Sequence, residues 1–498
     1  MQVLAQELTD RAGRAPDDVA VVDALGTHTI GEVVRAAREL AALLDDSLGG
    51  SPTVLVQADN TWRTLAAAVA VGLRGGMVAV FSDHALAAEF ELAMEDIRPD
   101  AVFATGDVLE RWAVSDEAFP DRRPALDGWT LATSDRPVSQ VERWNGGAAV
   151  AMTSGSTGRP KCVVQSEESI RYAARSTIDA IGLRPGDAVG AFVPLSSVAA
   201  FCFGMYLPAM LGGPMVSIDS WQPDLALEAM AQHEVRWTML VPTMALQLAV
   251  RPGAEGRLAG LTAMTVGGGP MNADALGRAE RTLGTTIIRV FGMSECLGHT
   301  TTRPGEGAST RLGADGRPFP GTEVRAVDHA GSAVEVGSVG AAQVRGPSLF
   351  VGYARDGLPS RELTDDGFLP TGDLVRVNPD ETITILGREK QIIIRGGRNI
   401  DINEVEAAVA RIPSVSQVCV VPVPDELLGE RAAALVVSSD PDLSLESVTA
   451  FLAESGVPKA KWPEFVFAVS DLPQNRVGKL SRRDATDLAE GLLRASVT

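Results

Sequence analysis

Nine residues, Thr153-Ser-Gly-Ser-Thr-Gly-Arg-Pro-Lys161, follow the apolar run Ala148 to Met152 and concentrate small hydroxyl side chains and glycine ahead of a lysine. Gly155 and Gly158 let backbone N–H groups approach phosphate oxygens. The hydroxyls of Thr153, Ser154, Ser156 and Thr157 add donors, and Lys161 supplies positive charge. The stretch reads as a polyphosphate-binding loop. It is not the kinase-type phosphate loop, which needs glycine immediately before the lysine and a hydroxyl residue after it, because Pro160 and Cys162 stand there.

Other segments gain meaning from their order. Gly267-Gly268-Gly269-Pro270 follows a strand-like run and would let a planar ring lie against bare backbone, although read alone it also makes a tight turn. Phe291-Gly292-Met293-Ser294-Glu295 ends another strand and offers an aromatic face, a hydroxyl and a carboxylate within five residues. Read alone, Asp373 in Thr371-Gly-Asp-Leu374 is a turn-capping aspartate, and Lys479 in Asn475-Arg-Val-Gly-Lys-Leu-Ser-Arg-Arg483 is a solvated surface cation. Of the five histidines only His299 lies beside these segments, where it reads as an ordinary polar loop residue.

Taken together, these segments resemble the adenylate-forming superfamily of acyl-CoA synthetases, peptide-synthetase adenylation domains and beetle luciferases, over roughly residues 150 to 480. The resemblance implies that Thr153 to Gly158 and Lys161 cover the ATP β- and γ-phosphates, with Cys162 where the family usually has glycine. It implies that Gly268, Gly269, Pro270, Phe291, Gly292 and Met293 line the adenine side, that Ser294 serves the α-phosphate or acyl group, and that Glu295 faces Mg²⁺. Asp373 is suited to accept both ribose hydroxyls, with Arg388 beside it. Lys390 falls at the hinge, Gly396-Gly397 at the thiol channel, and Lys479 becomes the catalytic lysine of a mobile C-terminal domain.

The implied chemistry is ATP-dependent activation of a carboxylic acid. A carboxylate is a poor acyl donor because its leaving group would be oxide; attack on the α-phosphorus of ATP releases pyrophosphate and makes AMP the leaving group. Two anions must meet, so positioning and charge neutralisation by Mg²⁺ and Lys479 carry catalysis. A thiol, that of coenzyme A or of a carrier-protein phosphopantetheine, then takes the acyl group after the small domain rotates. A non-catalytic nucleotide-binding relative is the rival of another class; retention of Lys161, Glu295, Asp373, Arg388 and Lys479 counts against it. No charged residue stands between Asp187 and Asp219, the region where relatives that activate α-amino acids supply an aspartate, so a non-amino, largely apolar acid is expected. Pro194 to Phe201 also lacks the family's frequent aromatic-His pair.

The elements that must position these groups follow from periodicity. Up to about residue 145, helix-like stretches such as Ile30 to Leu44 and Leu65 to Leu73 alternate with short apolar runs at Thr53 to Gln57 and Met77 to Phe81, predicting βα units on a parallel sheet. Beyond residue 185 further buried strands are predicted at Ala188 to Val193, Met215 to Ile218, Thr238 to Val241, Ala263 to Val266 and Thr286 to Phe291. Residues 314–386 read as a small β-rich subdomain. The fold class is therefore α/β: a large N-terminal domain, residues 1–387, and a small mobile α+β domain, residues 388–498. In the latter, Asp401 followed three residues later by Glu404 marks a helix start.

Composition excludes several classes. With 44 Lys and Arg against 64 Asp and Glu, the formal charge of −20 and the lack of a basic run argue against nucleic-acid partners. The uncharged interval after Asp187 imitates a membrane span, but Pro194, Pro208, Pro214 and Gly212-Gly213 would interrupt it, so no span is expected. Four dispersed cysteines without a CxxC pair, and a start without a cationic-then-apolar signal, fit a cytoplasmic protein.

Overall fold

The computed structural model describes residues 1–135, 144, 146–153, 160–269, 271–355, 362–388, 391–395, 398–425, 427–475 and 478–497. Two large mixed sheets form the body. In one, of eight strands, Thr53–Gln57 and Met77–Phe81 run parallel as the sequence pattern predicts, and Ala101–Thr105 joins them in the same direction. In the other, of nine, Val189–Ala191, Met215–Ser217, Trp237–Leu240, Ala263–Gly267 and Ile287–Met293 run parallel. All five lie within a residue or two of their expected places. The N-terminal third is not one sheet, however: Val19–Asp23 joins the nine-stranded sheet beside Met215–Ser217. Trp129–Thr133 turns antiparallel on Ala101–Thr105.

Helices Trp62–Leu73 and Glu167–Ile181 touch strands of both sheets and fill the space between them. Burial all round explains the composition of the first, whose residues Thr64 to Gly72 are entirely enclosed. The uncharged interval is likewise internal. It forms a strand, then the consecutive helical segments Val198–Ala200, Phe201–Tyr206 and Leu207–Leu211, then a second strand. The middle segment has π geometry; Pro208 can neither donate to the carbonyl four residues back, at Gly204, nor fit its ring against it, so the turn widens there. Among the described residues no helix is long and apolar enough to cross a membrane.

Residues 314–386 contain the expected β-rich unit, an antiparallel sheet in the order Glu323–Val327, Val339–Arg345, Leu369–Val377, Ile383–Arg388. The smaller C-terminal domain is built on a five-stranded sheet. Alternation along Val415–Asp425 and Gly429–Ser438 sends Val420, Ala434 and Val436 to one apolar core with Val405 and Leu452, and Cys419, Val421 and Leu435 to another with Ala485 and Ala489. Asp401 caps helix Ile402–Val409 by accepting from Asn403 N at 2.8 Å. Glu404 does not complete a reciprocal box; its carboxylate meets Lys461 at 2.9 Å instead.

The last helix, Arg482–Val497, was not anticipated, and its first residue locks the domain. Arg482 Nη1 and Nη2 donate to the two carboxylate oxygens of Glu406 at 2.6 and 2.9 Å, while Glu406 Oε1 also accepts from Val420 N at 2.7 Å. Glu406 is nearly fully buried, and its charge holds the guanidinium more firmly protonated than an ordinary arginine. Removing one partner leaves a buried charge unpaired. Arg482→Met should therefore destabilise the C-terminal domain by about 3–5 kcal/mol, seen in urea as an early transition separate from that of the large domain.

Candidate functional site

Each predicted segment sits where backbone pairing fixes its side chains. Strands Gly147–Thr153 and Lys161–Ser166 are antiparallel neighbours with Thr153 opposite Lys161, so residues 154–160 connect two paired strand ends. A strand, not a helix, follows the lysine, which separates this loop structurally from the kinase type. Ser154, Gly155, Ser156, Thr157, Gly158, Pro270, Lys390, Gly396 and Gly397 lie outside the described residues.

Met293 pairs with Cys296, leaving Ser294 and Glu295 as the two residues of a tight turn between Ile287–Met293 and Cys296–Thr301. The turn is pinned from behind: Gln165 Nε2 donates to Ser294 O at 2.7 Å and Phe350 N to Glu295 O at 2.8 Å. Phe291 to Glu295 are half-buried, whereas Cys296 to Thr300 are enclosed, so the turn presents one open side.

Tyr353 completes this corner and had no marked signal in the sequence beyond an aromatic after glycine. The short strand Gly352–Tyr353 runs antiparallel to Lys161–Ser166 with Tyr353 opposite Val163, which puts it diagonal to Lys161 on the same face. Lys161 Nζ donates to the Tyr353 hydroxyl at 3.2 Å and lies 4.3 Å from its ring centre. That hydroxyl donates to Glu295 Oε1 at 2.8 Å. A cation and a carboxylate are thus bridged through one phenol.

Asp373 and Arg388 are direct cross-strand partners, and Arg388 Nε meets Asp373 Oδ1 at 2.8 Å. Lys479 arrives from the small domain. Its loop closes on itself, with Lys479 N donating to Asn475 Oδ1 at 3.0 Å and Asn475 N to Lys479 O at 2.7 Å, and docks through Thr243 Oγ1, which donates to Gly478 O at 2.9 Å. The ammonium then lies over Gly268, where a Cβ would come within 3.1 Å of Nζ; φ of +80° adds a second reason for glycine. Burial lowers the Lys479 pKa, nearby Arg388 lowers it further, and Glu295 opposes the shift. The Lys479 ammonium thus lies over Gly268 within electrostatic reach of Arg388 and Glu295.

This convergence fits a polyanion. Lys161, Arg388 and Lys479 bring positive charge to one corner, and Glu295, held by a neutral phenol, is the carboxylate available to a divalent cation.

His299 is not a loop residue. It lies in Cys296–Thr301, fully buried, with Nδ1 3.1 Å from Cys296 O and its ring edge-on to Phe291 at 4.7 Å. Burial pushes its pKa down to about 4. The imidazole is a neutral prop behind Phe291 rather than an acid or base.

The AMP-binding enzyme family matches residues 8–354 and the AMP-binding enzyme C-terminal domain matches residues 404–479. The salicylyl-CoA synthase / salicylate adenylyltransferase of a Streptomyces species is 32% identical, over 95% of this chain and 91% of its own length. The 2,3-dihydroxybenzoate-AMP ligase of Bacillus subtilis is 30% identical, over 68% of this chain and 63% of its own. Among solved structures, the ATP-bound RpMatB-BxBclM chimera superposes with a TM-score of 0.85 at 24% identity, covering 99% of this chain and all of the other. The fold and site define an adenylate-forming enzyme. This chain belongs to the AMP-binding enzyme family and is an ATP-dependent, AMP-forming acid ligase, which sets aside the non-catalytic alternative.

Two outcomes follow. Replacing Tyr353 by Phe keeps the ring under Lys161 but removes the donor to Glu295; kcat/KM for ATP should fall about tenfold or more in a steady-state assay. Because His299 is buried neutral, the unfolded chain binds its proton more readily than the folded one between pH 6.5 and about 4. The stability from keeping it neutral is complete above pH 6.5 and is lost as pH falls through that window, up to roughly 3 kcal/mol. Unfolding free energy measured against pH should show this loss in the wild type and a shallower one in His299→Gln.

Proposed function

We propose that the protein is an acid–CoA ligase acting on an aromatic carboxylic acid without an amino group. The acid's oxygen attacks the α-phosphorus of ATP, pyrophosphate leaves, and the thiol of coenzyme A then displaces AMP from the acyl carbon to give the thioester. The observation carrying this reading is the Lys479 ammonium over Gly268 beside Arg388 and Glu295, a cation where a pentavalent phosphorus would gather negative charge.

In this reading Asp373 and Arg388 take the ribose, Phe291 with Gly268 and Gly269 the adenine, Ser294 the α-phosphate or acyl group, and Thr153 to Gly158 with Lys161 the outer phosphates. Glu295 would hold Mg²⁺, which supplies charge neutralisation on the phosphates. Lys390 is the hinge between domains 1–387 and 388–498, and Gly396-Gly397 border the thiol channel.

Support for the acid class comes from the interval 188–218, which has no charge to meet an ammonium, and from a close aromatic contact at its centre. The Phe203 ring stands 2.8 Å from where a Cβ on Gly298 would be, so a bulky apolar wall meets bare backbone three residues after Glu295. The Streptomyces relative is named for salicylate and coenzyme A, and the Bacillus one for another hydroxybenzoate. The latter is named as an AMP ligase without mention of coenzyme A, and the second reading is transfer to a carrier-protein phosphopantetheine.

Pyrophosphate exchange across a panel of aryl, alkyl and amino acids tests the acid; mass spectrometry of products with CoA and with carrier protein tests the acceptor. Exchange only with amino acids would overturn the substrate reading. Lys479→Ala should reduce exchange by about a hundredfold or more, while thioester formation from supplied acyl-adenylate is reduced far less.

A further inference from the structure

Two strands carry the groups read above as nucleoside-binding, and they belong to different sheets. Ile287–Met293 supplies Phe291 from the nine-stranded sheet; Ile383–Arg388 supplies Arg388 from the β-rich subdomain. What sets one against the other is a buried ion pair that the sequence motifs did not mark.

Arg289, two residues before Phe291, is 7% exposed, and Asp315, beside the Gly316-Arg-Pro-Phe-Pro-Gly321 segment, is 1% exposed. Arg289 Nη2 and Nε donate to Asp315 Oδ1 at 2.6 and 3.1 Å, and Nη1 donates to Leu312 O at 2.7 Å. The other carboxylate oxygen, Oδ2, accepts from Ile385 N at 2.8 Å, three residues before Arg388. The backbone of Asp315 repeats the link: its N donates to Ile383 O at 2.8 Å, and its O accepts from Thr300 Oγ1 at 2.7 Å. One aspartate thus holds both strands at once, with one oxygen for each.

A surface pair would contribute little to such registration. A buried one is costly to break, because either partner left alone is an uncompensated charge. Sliding Ile383–Arg388 along the body would take Ile385 N away from Oδ2 and carry Arg388 away from the Phe291 strand.

We infer that Arg289 and Asp315 are positioning residues for nucleotide binding, acting through Arg388 and Asp373 by fixing the distance between the adenine side and the ribose side. The inference rests on the nucleotide-site reading given above.

The test measures ATP affinity by calorimetry, KM for ATP and for acid, and melting temperature, in wild type, D315N, the charge-free pair R289Q/D315N, R388Q and D315N/R388Q. The pair R289Q/D315N leaves no lone buried charge, so it keeps the test open if D315N fails to fold. Expected is a rise of about tenfold in KM and Kd for ATP in D315N and in the pair, with KM for acid within about twofold. Adding D315N to R388Q should raise KM for ATP by less than about threefold, because both changes act on one contact. Unchanged ATP affinity with only a lower melting temperature, or full additivity with R388Q, would overturn the inference while leaving the nucleotide site standing. Wild type that binds no ATP would instead sink the nucleotide-site reading.

Discussion

A lysine ammonium half-removed from water beside an arginine is an unfavourable object, and the site is organised around tolerating it. Burial and Arg388 both push Lys479 toward its neutral form, and the Glu295 carboxylate resists. The arrangement becomes favourable when negative charge enters between these groups, as it does in a reaction that brings a carboxylate to a triphosphate. The positive charge is then stabilised by the reacting atoms rather than by the protein, which is the condition for binding the transition state more tightly than the free reactants.

Holding that charge in place is a task for backbone pairing more than for side-chain packing. Ser294 and Glu295 occupy a two-residue turn, Asp373 faces Arg388 across a ladder, and Tyr353 reaches Lys161 along a diagonal of another. Ladder registers shift by whole residues, and a one-residue slip would turn each of these side chains to the opposite face. The supporting contacts therefore fall on carbonyls and amides behind the turns, such as Gln165 to Ser294 O and Phe350 N to Glu295 O.

How much of this was legible in the sequence divides by distance along the chain. Groups within one segment, such as Phe291 with Glu295, could be read from residue types, and strand positions followed from short apolar runs between Gly and Pro. Lys479 over Gly268 was legible only through resemblance, because no spacing rule relates residues so far apart. Tyr353, Gln165 and the Arg289–Asp315 pair escaped because their meaning arises from cross-strand register and burial. One histidine among threonines looks like a polar loop in the sequence, yet the strand that carries His299 is enclosed on both faces. The capping signal at Asp401 marked the helix start correctly, but Glu404 turns to a competing partner, Lys461, from a distant turn.

The joint between the domains is consistent with the proposed rotation. Large-domain side chains donate to small-domain backbone carbonyls: Thr243 to Gly478 O at 2.9 Å, Asn272 to Ala410 O at 3.0 Å and Arg278 to Val415 O at 3.4 Å. Each such bond contributes on the order of 1 kcal/mol net, since water satisfies the same groups once they part. Carbonyls are also indifferent to side-chain identity, so another face of the small domain could meet the same donors. Inside that domain the Arg482–Glu406 pair holds the helix following Lys479 to helix Ile402–Val409 and, through Val420, to the sheet, so Lys479 would travel with its domain rather than by loop motion alone. A rigid carrier on a lightly held interface suits the proposed sequence of attack at the α-phosphorus and then at the acyl carbon: the cation is placed accurately for the first step and withdrawn for the second.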